Sequence, residues 1–108
     1  MMIYTIHAPF PERLEEVKAE MLRLGAPKIR VVHCGDHYQA LEGSHRIAAA
    51  HALGLKPELV VYEQDDEIDI TQFDWFDPAN WARTVYPAGE VAGDLYSWTA
   101  SRDYSFEG

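Results

Sequence analysis

The sequence is poor in cysteine, poor in basic residues and free of long apolar runs. A single cysteine, Cys34, stands among 108 residues. No internal disulfide can form, and a reducing compartment is expected. No apolar run approaches the roughly 20 residues that a membrane-spanning helix needs, so no membrane partner is expected. The start, Met1-Met2-Ile3-Tyr4-Thr5-Ile6, lacks the basic flank and long apolar core of a signal peptide. A cytoplasmic location is the expectation that follows. Only 9 lysines and arginines face 18 acidic side chains, for a net charge of −9. Broad nucleic-acid binding rests on neutralising phosphates, so nucleic acid is not an expected partner. A local basic spot remains compatible with one bound nucleotide. No internal repeat or low-complexity tract is present.

What is there reads as an ordinary globular chain, 47% hydrophobic and 25% charged. Its length suits one domain, residues 1–108, with a modest core. Met2 to Ile6 is β-branched and aromatic and predicts a strand. Pro9 and Pro11 break it. Leu14, Val17, Met21 and Leu24 recur at helical spacing and predict a helix over 12–24, stopped by Gly25. Core packing is the first reading of that helix; the alternative, which rests on the resemblance given below, is that its exposed face borders a pocket at Gly43. Lys28 to Cys34 predicts a strand, Gly35-Asp36 a turn and His37 to Leu41 the returning strand. A helix over 44–53 and a strand over 58–62 follow. Strand, helix and strand in this order predict a parallel pairing by a right-handed crossover.

Residues 63–108 change character, into an acidic, aromatic-rich C-terminal extension. Glu63 to Asp77 holds seven acids and predicts a solvated loop. Its acids do not follow the spacing of a calcium loop, so no metal is assigned there. Pro78 to Arg83 predicts a short helix capped by Asp77, and Tyr86-Pro87-Ala88-Gly89 a turn. Tyr96, Trp98, Tyr104 and Phe106 form an aromatic tail, suited to a core or to a homodimer contact. His33, His37, His45 and His51 lie close in sequence, but their spacing does not build a zinc site on one face, and His7 stands apart.

One stretch organises the rest: Leu41-Glu42-Gly43-Ser44-His45-Arg46, running into an alanine-rich helix that stops at Gly54. Free N–H groups and the positive dipole of a helix start attract anions. Arg46 and His45 add side-chain donors, and arginine suits phosphate oxygens. Gly43 permits the tight turn. Gly-Ser at a helix start is also ordinary capping chemistry, with serine as the N-cap. Both readings follow from the residues alone.

From about Leu14 to Tyr62 the chain resembles the ParB/sulfiredoxin superfamily. The shared order is helix, strand, short hairpin, Gly-x-[His or Arg]-Arg turn, alanine-rich helix and strand. Tyr38-Gln39-Ala40-Leu41-Glu42-Gly43-Ser44-His45-Arg46, followed by Ala48-Ala49 and Gly54, is similar to that pattern position by position. ParB-type proteins carry a Gly-Glu-Arg-Arg turn that holds a nucleoside triphosphate. Sulfiredoxins carry Gly-Gly-Cys-His-Arg, and related free-serine kinases Asp-Gly-x-His-Arg.

The resemblance implies a small α/β (α+β) fold, a mixed sheet with packed helices. It implies that Gly43, Ser44, His45 and Arg46 hold the phosphates of ATP, ADP or CTP, with or without Mg2+. As an enzyme the protein would be a phosphoryl transferase acting on a small molecule, with Glu42 as general base or magnesium partner and His45 donating to a phosphate oxygen. The alternative is a non-catalytic nucleotide-binding or protein-interaction module, or a scaffold that has lost its ligand. Sulfinic-acid reduction is disfavoured, because Ser44 stands where sulfiredoxins have their cysteine. Chromosome partition is disfavoured too, because no helix-turn-helix pattern follows and the arginine-rich box is replaced by Ala8-Pro9-Phe10-Pro11.

Overall fold

The computed structural model describes residues 1–97 and 103–106. Ile3 is fully buried between half-buried neighbours, which makes β1 (Met2–Tyr4) an interior strand. Pro11 opens α1 (Pro11–Leu24), at the first-turn position where its missing N–H costs nothing. Val17 and Met21, four residues apart, form the buried stripe of α1. Next come β2 (Lys28–His33), a turn at Gly35 and β3 (Tyr38–Ala40). Then follow α2 (Ser44–Leu53) and β4 (Glu58–Tyr62). The rest of the described chain forms β5 (Glu67–Asp69), a 3-10 turn at Ile70–Gln72, β6 (Val85–Pro87), α3 (Ala88–Ser97) and β7 (Asp103–Ser105).

Five strands form one mixed sheet in the order β4-β2-β3-β1-β7. β1 is parallel to β3 and β4 to β2, while β2–β3 and β1–β7 are antiparallel. β5 and β6 form a separate antiparallel pair. The expected fold class, a mixed sheet with packed helices, is what the chain adopts. Among the described residues no helix is long and apolar enough to cross a membrane.

Side chains alternate across the sheet, so each face has its own core. On one face Ile29, Val31 and Ala40 meet Ile47, Ala49 and Ala50 of α2 and Val17 and Met21 of α1. The small alanines let α2 lie close to the strands. On the other face Val32 and Leu41 meet Ile68, Ile70, Phe73, Trp81, Tyr86, Val91 and Leu95. Each fully buried large aliphatic contributes about 1.5–3 kcal/mol.

Four local expectations are corrected. β4 pairs in parallel with β2, not with the strand that precedes α2. The β2–β3 hairpin has already reversed the chain, so the return through α2 runs alongside β2 at its open edge. The expected acidic loop holds β5 and the 3-10 turn, because Ile68 and Ile70 bury on either side of exposed Asp69. Residues 78–83 are not helical. Asp77 does accept from the Ala79 N–H at 2.9 Å, but Trp81 turns into the core and the helix does not propagate. The expected turn at Tyr86 is β6 running into α3, whose Ala88, Val91, Ala92 and Leu95 bury at helical spacing. Of the expected aromatic tail, Tyr104 sits in β7, Phe106 is buried just after it, and Trp98 lies outside the described residues.

Candidate functional site

The turn at Gly43 leaves β3 through Leu41 and Glu42 and enters α2. Gly43 is the N-cap residue and takes the left-handed conformation, φ 71° and ψ 35°. A Cβ there would lie 2.7 Å from Ile29 Cδ1 and 3.1 Å from Arg46 Nη2. Glycine is therefore required both for its dihedrals and for space. Serine is not the cap. Ser44 is the first helical residue, 5% exposed, and its hydroxyl oxygen accepts from the Ile6 N–H at 3.1 Å. No side chain caps the start of α2, so its first-turn amides keep their pull on anions.

His45 is tied into its surroundings. Its Nε2 accepts from the N–H of Phe10 at 3.0 Å. Phe10 is the N-cap residue of α1 and offers no side-chain cap of its own. The His45 ring also lies 5.1 Å from His7 and 5.5 Å from Phe10, centre to centre. Burial first, then the charges of His7 and Arg13, push its pKa below the ordinary histidine value. Because Nε2 accepts from the Phe10 N–H, the proton of the neutral ring sits on Nδ1.

Arg46 donates from Nη1 to the Lys28 carbonyl at 3.3 Å, and its Nη2 is 3.8 Å from Glu42 Oε1. Its side chain remains 42% exposed. Glu42 is bound more tightly. Its Oε2 accepts from the Arg30 N–H at 3.1 Å and from Arg30 Nε at 2.9 Å, and its Oε1 accepts from Arg30 Nη2 at 2.9 Å. The hydrogen bonds from Arg30 hold the Glu42 carboxyl below its usual range. A carboxylate so occupied is a weak base. Through these bonds Glu42 fastens β2 to the Gly43 turn.

Glu42, Gly43, Ser44, His45 and Arg46 all line one cleft of about 660 Å³. α1 borders it through exposed Arg13 and buried Val17, and Ile6 and His7 reach it from the chain after β1. The facing wall is Gln72, Phe73, Asp74 and Trp75. Phe73 and Trp75 stack with ring centres 5.2 Å apart and planes 5° apart. Trp75 Nε1 donates to the Leu41 carbonyl at 2.7 Å, which fixes this wall to the strand end. Arg30 lies 4.5 Å over the Phe73 ring and donates from Nη1 to Gln72 Oε1. The cleft lining thus combines cationic groups, Arg13 and Arg46, with the aromatic pair Phe73 and Trp75.

Sequence reasoning missed this second wall. Asp74 is one of seven acids in a run with no metal-site spacing, and nothing in the pattern singled it out. In the fold it is an exposed carboxylate on the rim of the cleft. Trp75 falls in an acidic, aromatic-rich stretch and Arg13 on the helix over 12–24, and no local pattern joins either to the Gly43 turn. The other histidines stand elsewhere: His33 beside Glu63 and Gly35, His37 on Asp36, and His51 against Tyr104 and Phe106. Among the described residues no group of three or more His, Cys, Asp or Glu is placed to hold a metal ion. Cys34 is half-buried, and burial raises its thiol pKa, which makes it a poor nucleophile. No family profile, curated protein or solved structure matches the chain.

Proposed function

We propose that this is a nucleotide-binding domain of the ParB/sulfiredoxin type, with phosphates at the start of α2 and the base against Trp75. One observation carries the reading: an uncapped helix start bearing Arg46 opens onto the same cleft as an aromatic wall. The cleft volume suits a ligand of nucleotide size. Arg46 and Arg13 supply charge-assisted bonds to phosphate oxygens, and the amides of the first turn supply the rest. Gly43 lets the phosphates approach the backbone. His45 donates from Nδ1, while Ser44 shapes the turn through Ile6. ATP, ADP and CTP all meet these requirements. The single cysteine supports a reducing, cytoplasmic setting.

Two activities are open to such a site. A phosphoryl transferase needs a carboxylate free to meet Mg2+ or a hydroxyl proton, and Asp74 on the rim supplies it in place of Glu42. A non-catalytic module is favoured by a different observation: Glu42 and His45 already hold structural bonds. Calorimetric titration with ATP, ADP and CTP, with and without Mg2+, tests the shared claim. We expect binding that Arg46→Ala weakens by at least about tenfold, the loss of one charge-assisted contact. Failure of the wild type to bind at millimolar nucleotide overturns the proposal. Turnover of ATP with a second substrate, lost in Asp74→Asn, separates transferase from module.

A further inference from the structure

β4 is an edge of the main sheet. Its inner side pairs with β2, and among the described residues no strand pairs with its outer side. Such an edge is a template for another chain unless charge, proline or a cover blunts it. The middle of β4 carries none of these. Val60 and Val61 are 38% and 43% exposed and lie on opposite faces of the sheet. Charges stand only towards its ends, with Lys56 and Glu58 before the valines and the acidic turn at Glu63, Asp65 and Asp66 after them.

We propose that β4 pairs antiparallel with β4 of a second copy, about a two-fold axis through Val60. A two-fold normal to a sheet keeps each side chain on its own face, so the axis must pass through a residue. With the axis at Val60, that valine meets its own copy and Leu59 meets Val61 of the second chain. Glu58 then meets Tyr62. Moving the axis to Val61 sets Leu59 against Glu63, and moving it to Leu59 sets Glu58 against Val60. Only the Val60 register matches aliphatic to aliphatic on both faces.

The charges agree with this register. At each end Lys56 of one chain comes opposite Gln64 of the other, within the acidic turn. The two Glu58 carboxylates stand four strand positions apart, roughly 13 Å, beyond a Debye length of about 8 Å at physiological salt. A strand from a different protein gains the backbone bonds but not this symmetric pattern, so the edge fits a copy of itself best. The pairing is isologous and closes at two chains. Neither the cleft nor a nucleotide enters it.

Sedimentation of the full chain from micromolar to millimolar concentration tests the proposal. We expect a species of twice the 12.3 kDa chain mass. Val60→Lys sets like charges face to face and weakens association by at least roughly tenfold, with an unchanged far-ultraviolet dichroism spectrum. In a Cys34→Ala background, Val60→Cys cross-links the dimer on mild oxidation. Directly opposed Cα atoms are about 4.5–5.5 Å apart, inside the bridging range. Val61→Cys stays unlinked, because its copy lies two positions away. A monomer throughout the concentration range overturns the proposal. So does a dimer that survives Val60→Lys, or one that cross-links through Val61→Cys and not Val60→Cys.

Discussion

The two faces of the sheet are held by different chemistry. The face under α1 and α2 is aliphatic and small, built from Ile29, Val31, Ala40, Ile47, Ala49 and Ala50. The opposite face is aromatic, with Phe73, Trp81 and Tyr86 in one cluster. Trp81 lies 5.5 Å from Trp75 and 5.3 Å from Tyr86, centre to centre. Aliphatic packing of regular elements needs only correct periodicity. Aromatic packing lets a nearly irregular segment, residues 70–84, be ordered by a few large rings that each bury roughly 150–250 Å². The cleft lies where the two meet. Its Gly43 end is anchored in the aliphatic core through Ile29 and Ile47, and its Phe73–Trp75 wall in the aromatic one.

The largest effect is expected from Trp81→Ala. Removing this side chain costs about 3–5 kcal/mol and loosens the wall that carries Asp74 and Trp75, so stability and ligand affinity fall together. Ile47→Ala, in the other core, costs about 2–4 kcal/mol and leaves the stacked Phe73–Trp75 wall in place. Urea unfolding measures both losses, and near-ultraviolet dichroism reports the rings. If Ile47→Ala disturbs the ring signal as much as Trp81→Ala does, the two cores are one. Next in size is Gly43→Ala, which places a side chain at φ 71° and 2.7 Å from Ile29 Cδ1. About 1–2 kcal/mol is expected from the dihedral alone, and the Gly43 turn should suffer more than the aromatic wall.

The smallest effect is a pH dependence. His45 has a lowered pKa in the fold, so the unfolded chain binds its proton first. Its contribution to stability is complete above the unfolded value, about 6.5, and is lost as pH falls through the lowered folded value. Stability measured across this window should drop on acidification in the wild type, and less so in His45→Gln. An equal slope in both would assign the titration to another group.

This contrast also explains what could be read from the residues. Val17 and Met21, the Ile-Arg-Val-Val run of β2 and the alanines of α2 announce their elements, because burial on one face imposes a period. The Gly43 turn was legible for the same reason, as it joins two such elements. Residues 70–84 impose no period, so neither the aromatic wall nor the place of Asp74 could be seen. α3 was overlooked although Ala88, Val91, Ala92 and Leu95 carry helical spacing, since Tyr86-Pro87 and Gly89 gave a stronger local turn signal. The role of Glu42 was also out of reach. Its partner Arg30 is twelve residues away, on a strand whose polar member reads as ordinary surface alternation.

Arg30 gives the cleft one further property. Its guanidinium holds Glu42 with bonds of 2.9 Å, donates to Gln72 and lies over Phe73. Both walls thus hang on one planar group, itself rooted in the central part of the sheet. In the proposed nucleotide site this tie would hold the phosphate end and the aromatic wall at a set separation before a ligand arrives. A site so held would select by span, favouring molecules whose charged and flat ends are the right distance apart.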